Sequence, residues 1–386
     1  MNIPVANCSS CAACANVCAH GAISMQLDAD GFYRPVVDAG KCVQCKACEM
    51  ACPWTNAVLN PNEASDSPQT VAAYAKDKLI RMESSSGGIF TVLAEKILDE
   101  GGVIVGVAQI SPRKLGHIVV ESKADLAKLR GSKYVQAEVG LVYRSVRDLL
   151  KQGRVVLFSG TPCQVAALYS VLGKAKYPNL FTLDIVCHGT PSVKIFEKYT
   201  QELEKSMGSS FESVNFRDKS SGWSGYSVLL RFDGGKFIKV HHGQSKYMRL
   251  FLSSVCQNSS CDNCHYRKLP RIADVTLGDY WGISKLHPEM NDNKGTSVVL
   301  LNTEHGKELF ASVVGRVVQC ESKLEYAIAG NPCIVHSGKQ HPKRAEFFAN
   351  LDKYPLDELV KIYTPCPSMM KRLFLRIRKM FLDIFF

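Results

Sequence analysis

Apolar positions change period several times along the chain, and each change predicts an element. Residues 22–27 and 33–37 are short alternating runs on either side of Asp28-Ala-Asp-Gly31, which predicts two strands joined by a turn. Residues 60–70 carry no apolar period and two prolines, so a flexible linker is expected there, with a new domain from about Val71. Helical spacing over 88–100 is closed by Gly101-Gly102 and followed by a strand-like run over 103–107 and a helix over 139–151. The clearest unit is strand 154–158, helix from Pro162 to about Leu172 stopped by Gly173, and strand 180–186, a βαβ pattern. Thr161 and Pro162 suit the cap and first turn of that helix, which puts Cys163 in its first turn. A second cap, Thr190-Pro191, is expected to open a helix with Phe196, Tyr199, Leu203 and Met207 on one face. Runs 227–232 and 236–240 around Asp233-Gly-Gly235 predict a hairpin. The fold class that follows is a multidomain α+β and α/β chain.

The cysteines repeat on their own period. Cys8, Cys11, Cys14 and Cys18 recur as Cys42, Cys45, Cys48 and Cys52 with identical C-x2-C-x2-C-x3-C spacing and a constant offset of 34 residues. Three closely spaced thiolates grip one 4Fe-4S cubane while the fourth reaches the other cluster. Cys8, Cys11, Cys14 and Cys52 are therefore expected to hold one cluster, and Cys42, Cys45, Cys48 and Cys18 the second. Zinc is the weaker reading, because zinc sites use pairs of cysteines rather than even triplets. Residues 1–59 resemble a bacterial two-cluster ferredoxin; Cys52 has the usual following Pro53, whereas Cys18 is followed by Ala19.

Composition narrows the class. At 386 residues, 46% hydrophobic and 22% charged, the chain is globular and long enough for more than one domain. Its 16 cysteines are too few for a disulfide scaffold of this length, and residues 1–18 show no secretory leader, so metal or redox chemistry in a reducing cytoplasm is expected. The formal charge of +11 invites a nucleic-acid partner, but residues 361–386 hold six of the cations and one anion. Each oxidised 4Fe-4S group on four thiolates also brings about −2. No basic and aromatic RNA-binding signature or zinc-finger spacing accompanies the charge, so no nucleic-acid partner is expected. Within 341–386, read as a helical, basic amphipathic tail, Leu373, Ile377, Met380 and Ile384 share one helical face opposite Arg372, Arg376 and Lys379. Peripheral membrane contact or partner docking is expected of that face.

A third metal site follows from the βαβ unit, whose parallel strands bind ligands beyond their carboxyl ends. Cys163 and Cys187 fall there, and a helix N-terminus favours a thiolate at Cys163. With the pair Cys261-x-x-Cys264 they make a candidate third 4Fe-4S site, Cys256 being a fifth candidate. Cys320, Cys333 and Cys366 lack partner spacing and read as structural. His241, His242 and His287 read as ordinary surface or loop residues.

Residues 85–90 (SSGGIF), 131–136 (GSKYVQ), 159–164 (SGTPCQ), Cys187, Cys261-x-x-Cys264 and 273–282 (ADVTLGDYWG) resemble the family of deazaflavin coenzyme (F-420) hydrogenase and dehydrogenase beta subunits over about residues 1–285. The resemblance implies FAD beside an iron-sulfur cluster, with Cys163, Cys187, Cys261 and Cys264 as ligands. It implies a flavin domain running over 71–152 and 153–340. Flavin contacts are expected from Ser85, Ser86, Gly87 and Gly88, where a turn opening a helix offers N–H groups, from Ser132, Lys133 and Tyr134, and from Gly160 and Thr161. Lys133 is expected to place a cation near flavin N1. Asp279 reads as a turn residue. No G-x-G-x-x-G follows a strand and no Walker A motif occurs. The expected function is an iron-sulfur flavoprotein oxidoreductase passing electrons between the clusters and, through FAD, a two-electron small-molecule partner, deazaflavin or another organic acceptor. The alternative is an electron-transfer subunit without its own substrate, docked on a redox partner protein. No catalytic acid or base is assignable.

Overall fold

The computed structural model describes residues 7–338 and 340–364. The tail helix expected over 371–386 and Cys366 lie outside the described residues. No described helix is long and apolar enough to cross a membrane.

Two short strands, β1 (Ile23–Leu27) and β2 (Tyr33–Val37), pair antiparallel around the expected turn, with Ile23 opposite Val37. They lie beside the helices Ala13–Val17 and Ala47–Met50, which carry Cys14 and Cys48. The chain then enters an eight-stranded sheet built from β3 (Gln69–Ala75), β4 (Val103–Ser111), β5 (Lys114–Val120), β6 (Val156–Gly160) and β7 (Leu180–Ile185). After a separate three-stranded antiparallel sheet of β8 (Phe211–Asp218), β9 (Ser227–Phe232) and β10 (Lys236–His241), it returns to complete the large sheet. The completing strands are β11 (Val275–Asp279), β12 (Ser297–Leu301) and β13 (Val317–Ser322), and the order is β13-β3-β12-β11-β7-β6-β4-β5.

The four neighbours β11, β7, β6 and β4 run parallel, while both flanks are antiparallel. Strands covered on both faces read as continuous apolar runs, which is why Val103 to Val105, Val156 to Phe158 and Val298 to Leu300 are fully buried. Helix Val142–Lys151 buries Val142, Tyr143, Val146 and Leu150, one stripe at helical spacing. Helix Pro162–Leu172 ends at Gly173, whose φ of 72° closes the turn without the strain a side chain would bring. At the carboxyl end of the sheet Asp184 and Arg271 form an ion pair at 2.9 Å, both side chains 0% exposed, and Arg271 also donates to the carbonyl of Tyr266 at 2.9 Å.

Two expectations are corrected. The linker is tied down rather than flexible: Asn62 donates to Asp274 Oδ1 at 2.9 Å and the Ser65 N–H donates to the Asn302 carbonyl at 2.7 Å. The Thr190-Pro191 helix start is displaced as well. That helix spans Val193–Met207 with Ser192 as its capping residue, because Pro191 pairs with Gln257 and the Thr190 carbonyl accepts from Asn258, which holds 187–191 extended.

The cysteine-rich segment packs on the large sheet through directed bonds. Arg144 donates to the carbonyls of Asn16 (2.7 Å), Ala15 (3.1 Å) and Cys18 (2.6 Å), satisfying the open end of helix Ala13–Val17. Gln136 accepts from the Tyr33 N–H at 2.9 Å. Gly31, at φ +80°, lets the turn touch helix Val193–Met207, where a Cβ would stand 2.6 Å from that of Lys194. Helices Arg344–Asn350 and Leu356–Tyr363 bury Phe347, Leu356, Leu359 and Val360 against the three-stranded sheet and helix Val193–Met207.

Candidate functional site

All described cysteines are free thiols, and twelve of them gather into three groups. In the inner group, burial first and then the neighbouring Cys8 and Cys52 push the Cys11 thiol up to about 12. Cys14 is raised by burial and then by Cys11, Cys8 and Cys52, so Cys8, Cys11, Cys14 and Cys52 stand together as the spacing predicts. The Ser10 N–H donates to Cys8 Sγ at 3.3 Å. The outer group, Cys18, Cys42, Cys45 and Cys48, lines a separate cavity of about 340 Å³. Cys45 is exposed, and the Ala22 N–H donates to Cys18 Sγ at 3.3 Å.

The third group joins Cys163 and Cys187 to Cys261 and Cys264, between 74 and 101 residues further along the chain. Burial pushes Cys187 up to about 12, with Cys261 and Cys264 adding to it, and pushes Cys261 to about 11. Burial also raises the Cys163 thiol, and Cys264 and Cys187 raise it further. Thr161 Oγ1 lies 3.2 Å from Cys163 Sγ and the Thr190 N–H donates to Cys261 Sγ at 3.4 Å. Cys256 is apart from this group. Its neighbours are Tyr247 and Arg344, and its backbone carbonyl accepts from Ser192. Cys11 acts on Cys163, which puts the inner and third groups side by side. Between them Tyr143 donates to the Cys11 carbonyl at 3.0 Å and Tyr266 to the Pro53 carbonyl at 2.7 Å. Each group is a set of four unpaired soft donors, half-buried or buried throughout in the inner and third groups and supported by N–H···S bonds, which fits an iron-sulfur cluster.

A cavity of about 540 Å³ opens at the carboxyl ends of the parallel strands, within the ~300–1,000 Å³ of small-molecule and cofactor sites. Cys163 and Cys187 line it, and so do Ser85, Ser86, Gly88, Ser132, Lys133, Tyr134, Gly160 and Thr161. Gly87 is behind the wall. Its N–H is spent on Ser297 Oγ at 3.0 Å, and a Cβ there would meet the Ala73 carbonyl at 2.4 Å, so close packing explains the glycine. The two serine loops are joined directly, the Ser132 N–H donating to Ser85 Oγ at 2.6 Å.

Lys133 differs from its expected role. Its ammonium donates to the carbonyls of Leu129 (3.0 Å), Arg130 (2.8 Å) and Gly131 (3.1 Å), and burial pushes its pKa down to about 7. It staples its own loop instead of offering a cation to the cavity. Lys219 does the same for Arg81, Ser86 and Lys294. Two arginines line the cavity with a buried Nε that has no partner, Arg130, which is paired with Glu83, and Arg217. Arg217 Nη2 donates to Asp279 Oδ1 at 3.0 Å, and its guanidinium stacks 3.9 Å from the Tyr226 ring. Glycine and backbone walls together with these unpartnered donors fit a planar, acceptor-bearing ring such as a flavin.

Arg217, Tyr226 and Cys333 line the cavity and were not legible as site residues. An arginine in an alternating strand and a tyrosine before another carry no local signal. Trp281 and Asp279 lay inside the quoted 273–282 segment, which was the available signal. Away from the cavity, ligand atoms of His287, Glu289 and Cys320 fall within 4.8 Å of one another.

Family models match most of the chain, and the two that follow the cysteine-rich segment share the single eight-stranded sheet. Residues 153–325 match the carboxyl-terminal model of the coenzyme F420 hydrogenase/dehydrogenase beta subunit, residues 70–142 its N-terminal model, and residues 7–56 a 4Fe-4S dicluster domain. A component of the F(420)H(2) dehydrogenase of Methanosarcina mazei is 22% identical over 322 residues, 79% of this chain and 82% of that protein. An uncharacterized protein of Methanocaldococcus jannaschii is 26% identical over 190 residues, 43% of this chain and 52% of that protein. A chain of the F420-reducing [NiFe] hydrogenase complex from Methanosarcina barkeri superposes with a TM-score of 0.47 at 19% identity, covering 72% of this chain and 91% of that one.

Proposed function

Because the chain belongs to the family of coenzyme F420 hydrogenase/dehydrogenase beta subunits, an iron-sulfur electron-transfer family of oxidoreductases, we propose that it is an oxidoreductase that passes electrons between three 4Fe-4S clusters and an organic two-electron partner through FAD. The observation that carries this reading is that Cys163 and Cys187 belong at once to the third thiol group and to the wall of the 540 Å³ cavity. When bound there, a flavin supplies the exchange between one-electron and two-electron chemistry.

The chain's own residues divide the work. Cys18, Cys42, Cys45 and Cys48 would hold the outermost cluster, with exposed Val43 (58%) near Cys45 and exposed Met50 (68%) at the end of the helix that carries Cys48 as a face for a redox partner protein. Cys8, Cys11, Cys14 and Cys52 would hold the next, and Cys163, Cys187, Cys261 and Cys264 the one beside the cavity. Tyr143 and Tyr266 fix the spacing of the last two by holding the Cys11 and Pro53 carbonyls. Ser85, Ser86, Gly88, Ser132 and Tyr134 offer polar groups and backbone to the flavin from one side, and Gly160 and Thr161 from the other. The partner's ring is a deazaflavin or another organic hydride carrier.

Anaerobic purification with iron, acid-labile sulfide and flavin counted per chain tests the reading. About 12 iron atoms, four for each of three clusters, with one FAD are expected. About eight iron atoms without flavin would overturn it in favour of a carrier without its own substrate, docked through the face around Cys45.

A further inference from the structure

We propose that Arg217 and Asp279 act as one unit that reads the pyrimidinedione edge of an isoalloxazine-type ring bound in the cavity. The inference rests on the reading of that cavity as a ring site and names the residues that orient the ring. Both side chains line the cavity, Arg217 from near the end of β8 and Asp279 from the last position of β11. They come from different sheets and meet at 3.0 Å, so the cavity wall itself brings them together.

The donor inventory is specific. Arg217 is 2% exposed and commits Nη2 to Asp279 Oδ1 and, at 3.4 Å, to the Ser85 carbonyl, leaving Nε buried with no partner. A buried guanidinium donor left unmade is costly, and a ligand oxygen would relieve it. Both bonds that reach the Asp279 carboxylate, from Arg217 and from Trp223 Nε1 at 2.9 Å, land on Oδ1. Its Oδ2 takes neither bond, on a side chain 16% exposed that lines the cavity. The pair presents a donor beside an acceptor, the complement of a ring carbonyl beside a ring N–H. That is the pattern along C2=O, N3–H and C4=O of an isoalloxazine.

Charge argues for the same ligand and against a phosphate. A guanidinium already paired with a carboxylate carries little net charge, so it suits a neutral polar edge better than a diphosphate. The aromatic surroundings, Tyr226 at 3.9 Å and Trp281 at 5.4 Å from the guanidinium, keep water from competing for those bonds. Of the other cations there, Lys133 and Lys219 have their ammonium groups bonded to carbonyls, and Arg130, which also lines the cavity with an unpartnered Nε, is paired with Glu83, which, unlike Asp279, does not line the cavity.

Flavins and 5-deazaflavins share this edge, and binding measurements separate them. Anaerobic holoprotein freed of flavin is titrated with FAD and with 3-methyl-FAD, whose N3 cannot donate; FAD-loaded protein is titrated with 5-deazariboflavin and its 3-methyl derivative. The expected result is that wild type binds the methylated ring at least about tenfold more weakly, that Asp279→Ala removes this preference, and that Arg217→Met weakens the unmethylated ring about ten- to hundredfold. Arg217→Lys recovers part of that loss, and the iron content of each variant is unchanged. If only FAD binding responds, the unit orients the flavin; if only 5-deazariboflavin binding responds, it orients the two-electron partner, and either result upholds the proposal. Wild type that binds FAD but shows no response to methylation or substitution with either ring overturns the proposal and leaves the flavin reading standing. Wild type that binds neither ring overturns both. Should Arg217→Met lose iron through misfolding, the loss or retention of the methyl preference in Asp279→Ala decides.

Discussion

The indole of Trp54 lies flat on the imidazole of His265, ring centroids 4.0 Å apart and planes 17° from parallel. Trp54 is two residues beyond Cys52 of the inner group, and His265 follows Cys264 of the third, so this stack joins the two thiol groups. An aromatic pair contributes about 0.5–1.5 kcal/mol beyond its buried area. Trp54→Ala should loosen the cysteine-rich segment and raise the rate of protease nicking within 60–70 up to about tenfold, with iron content unchanged. Protection equal to wild type would show that the stack holds nothing.

Iron counting separates the thiols. Cys163→Ser should lose about four iron atoms and keep about eight. Cys256→Ser should keep the full complement, since that thiol lies against Tyr247 and Arg344. Equal iron content in Cys163→Ser and wild type would remove Cys163 from the ligand set.

His117 is half-buried in β5, stacked on Phe158 at 5.7 Å and 2°, with both ring nitrogens shut off from solvent and unpartnered. Burial pushes its pKa down to about 4 from 6.5. Between those values the unfolded chain binds a proton that the folded chain does not, so stability rises with pH and is lost as pH falls from 6.5 through 4. The loss amounts to roughly 3 kcal/mol. His117→Phe should flatten this slope, read as the difference in melting temperature between pH 7.5 and pH 5.5. An identical slope in the variant would assign the acid sensitivity elsewhere.

The Asp184–Arg271 pair at 0% exposure makes a different prediction. Removing one partner strands a buried charge, so Arg271→Met should cost about 3–5 kcal/mol. Adding Asp184→Leu should recover part of that cost, because the two charges then leave together. Denaturant midpoints of the single and double variants measure the coupling, and strictly additive losses would contradict it.

How much of this could be read in advance depended on how local each signal was. The eight cysteines of the repeat were legible because their pairing is fixed by spacing within one segment, and the βαβ unit because its period switches are short-range. Gly173 and Asp233-Gly-Gly235 act at their own backbone angles and needed no tertiary knowledge. Thr190-Pro191 has the local signature of a cap, but pairing with Gln257 overrode it. The bonds of Lys133 are not legible in sequence, because a side chain's direction is set by what surrounds it, here three carbonyls of its own loop. The pairing of β3 between β12 and β13, more than 220 residues later in sequence, and the meeting of Arg217 with Asp279 depend on the assembled sheets and left no pattern to find.

Residues 60–70 run along the large sheet, held at Asn62 and Ser65, and Arg144 clasps the end of the first cysteine helix. A redox centre on a free tether must diffuse to its acceptor at every turnover, and its rate falls as the solvent thickens. Here the distance from Cys11 to Cys163 is built into the packing, so internal electron transfer should be indifferent to glycerol or sucrose. Any viscosity dependence of turnover would then belong to encounters at the Cys45 face or at the mouth of the cavity.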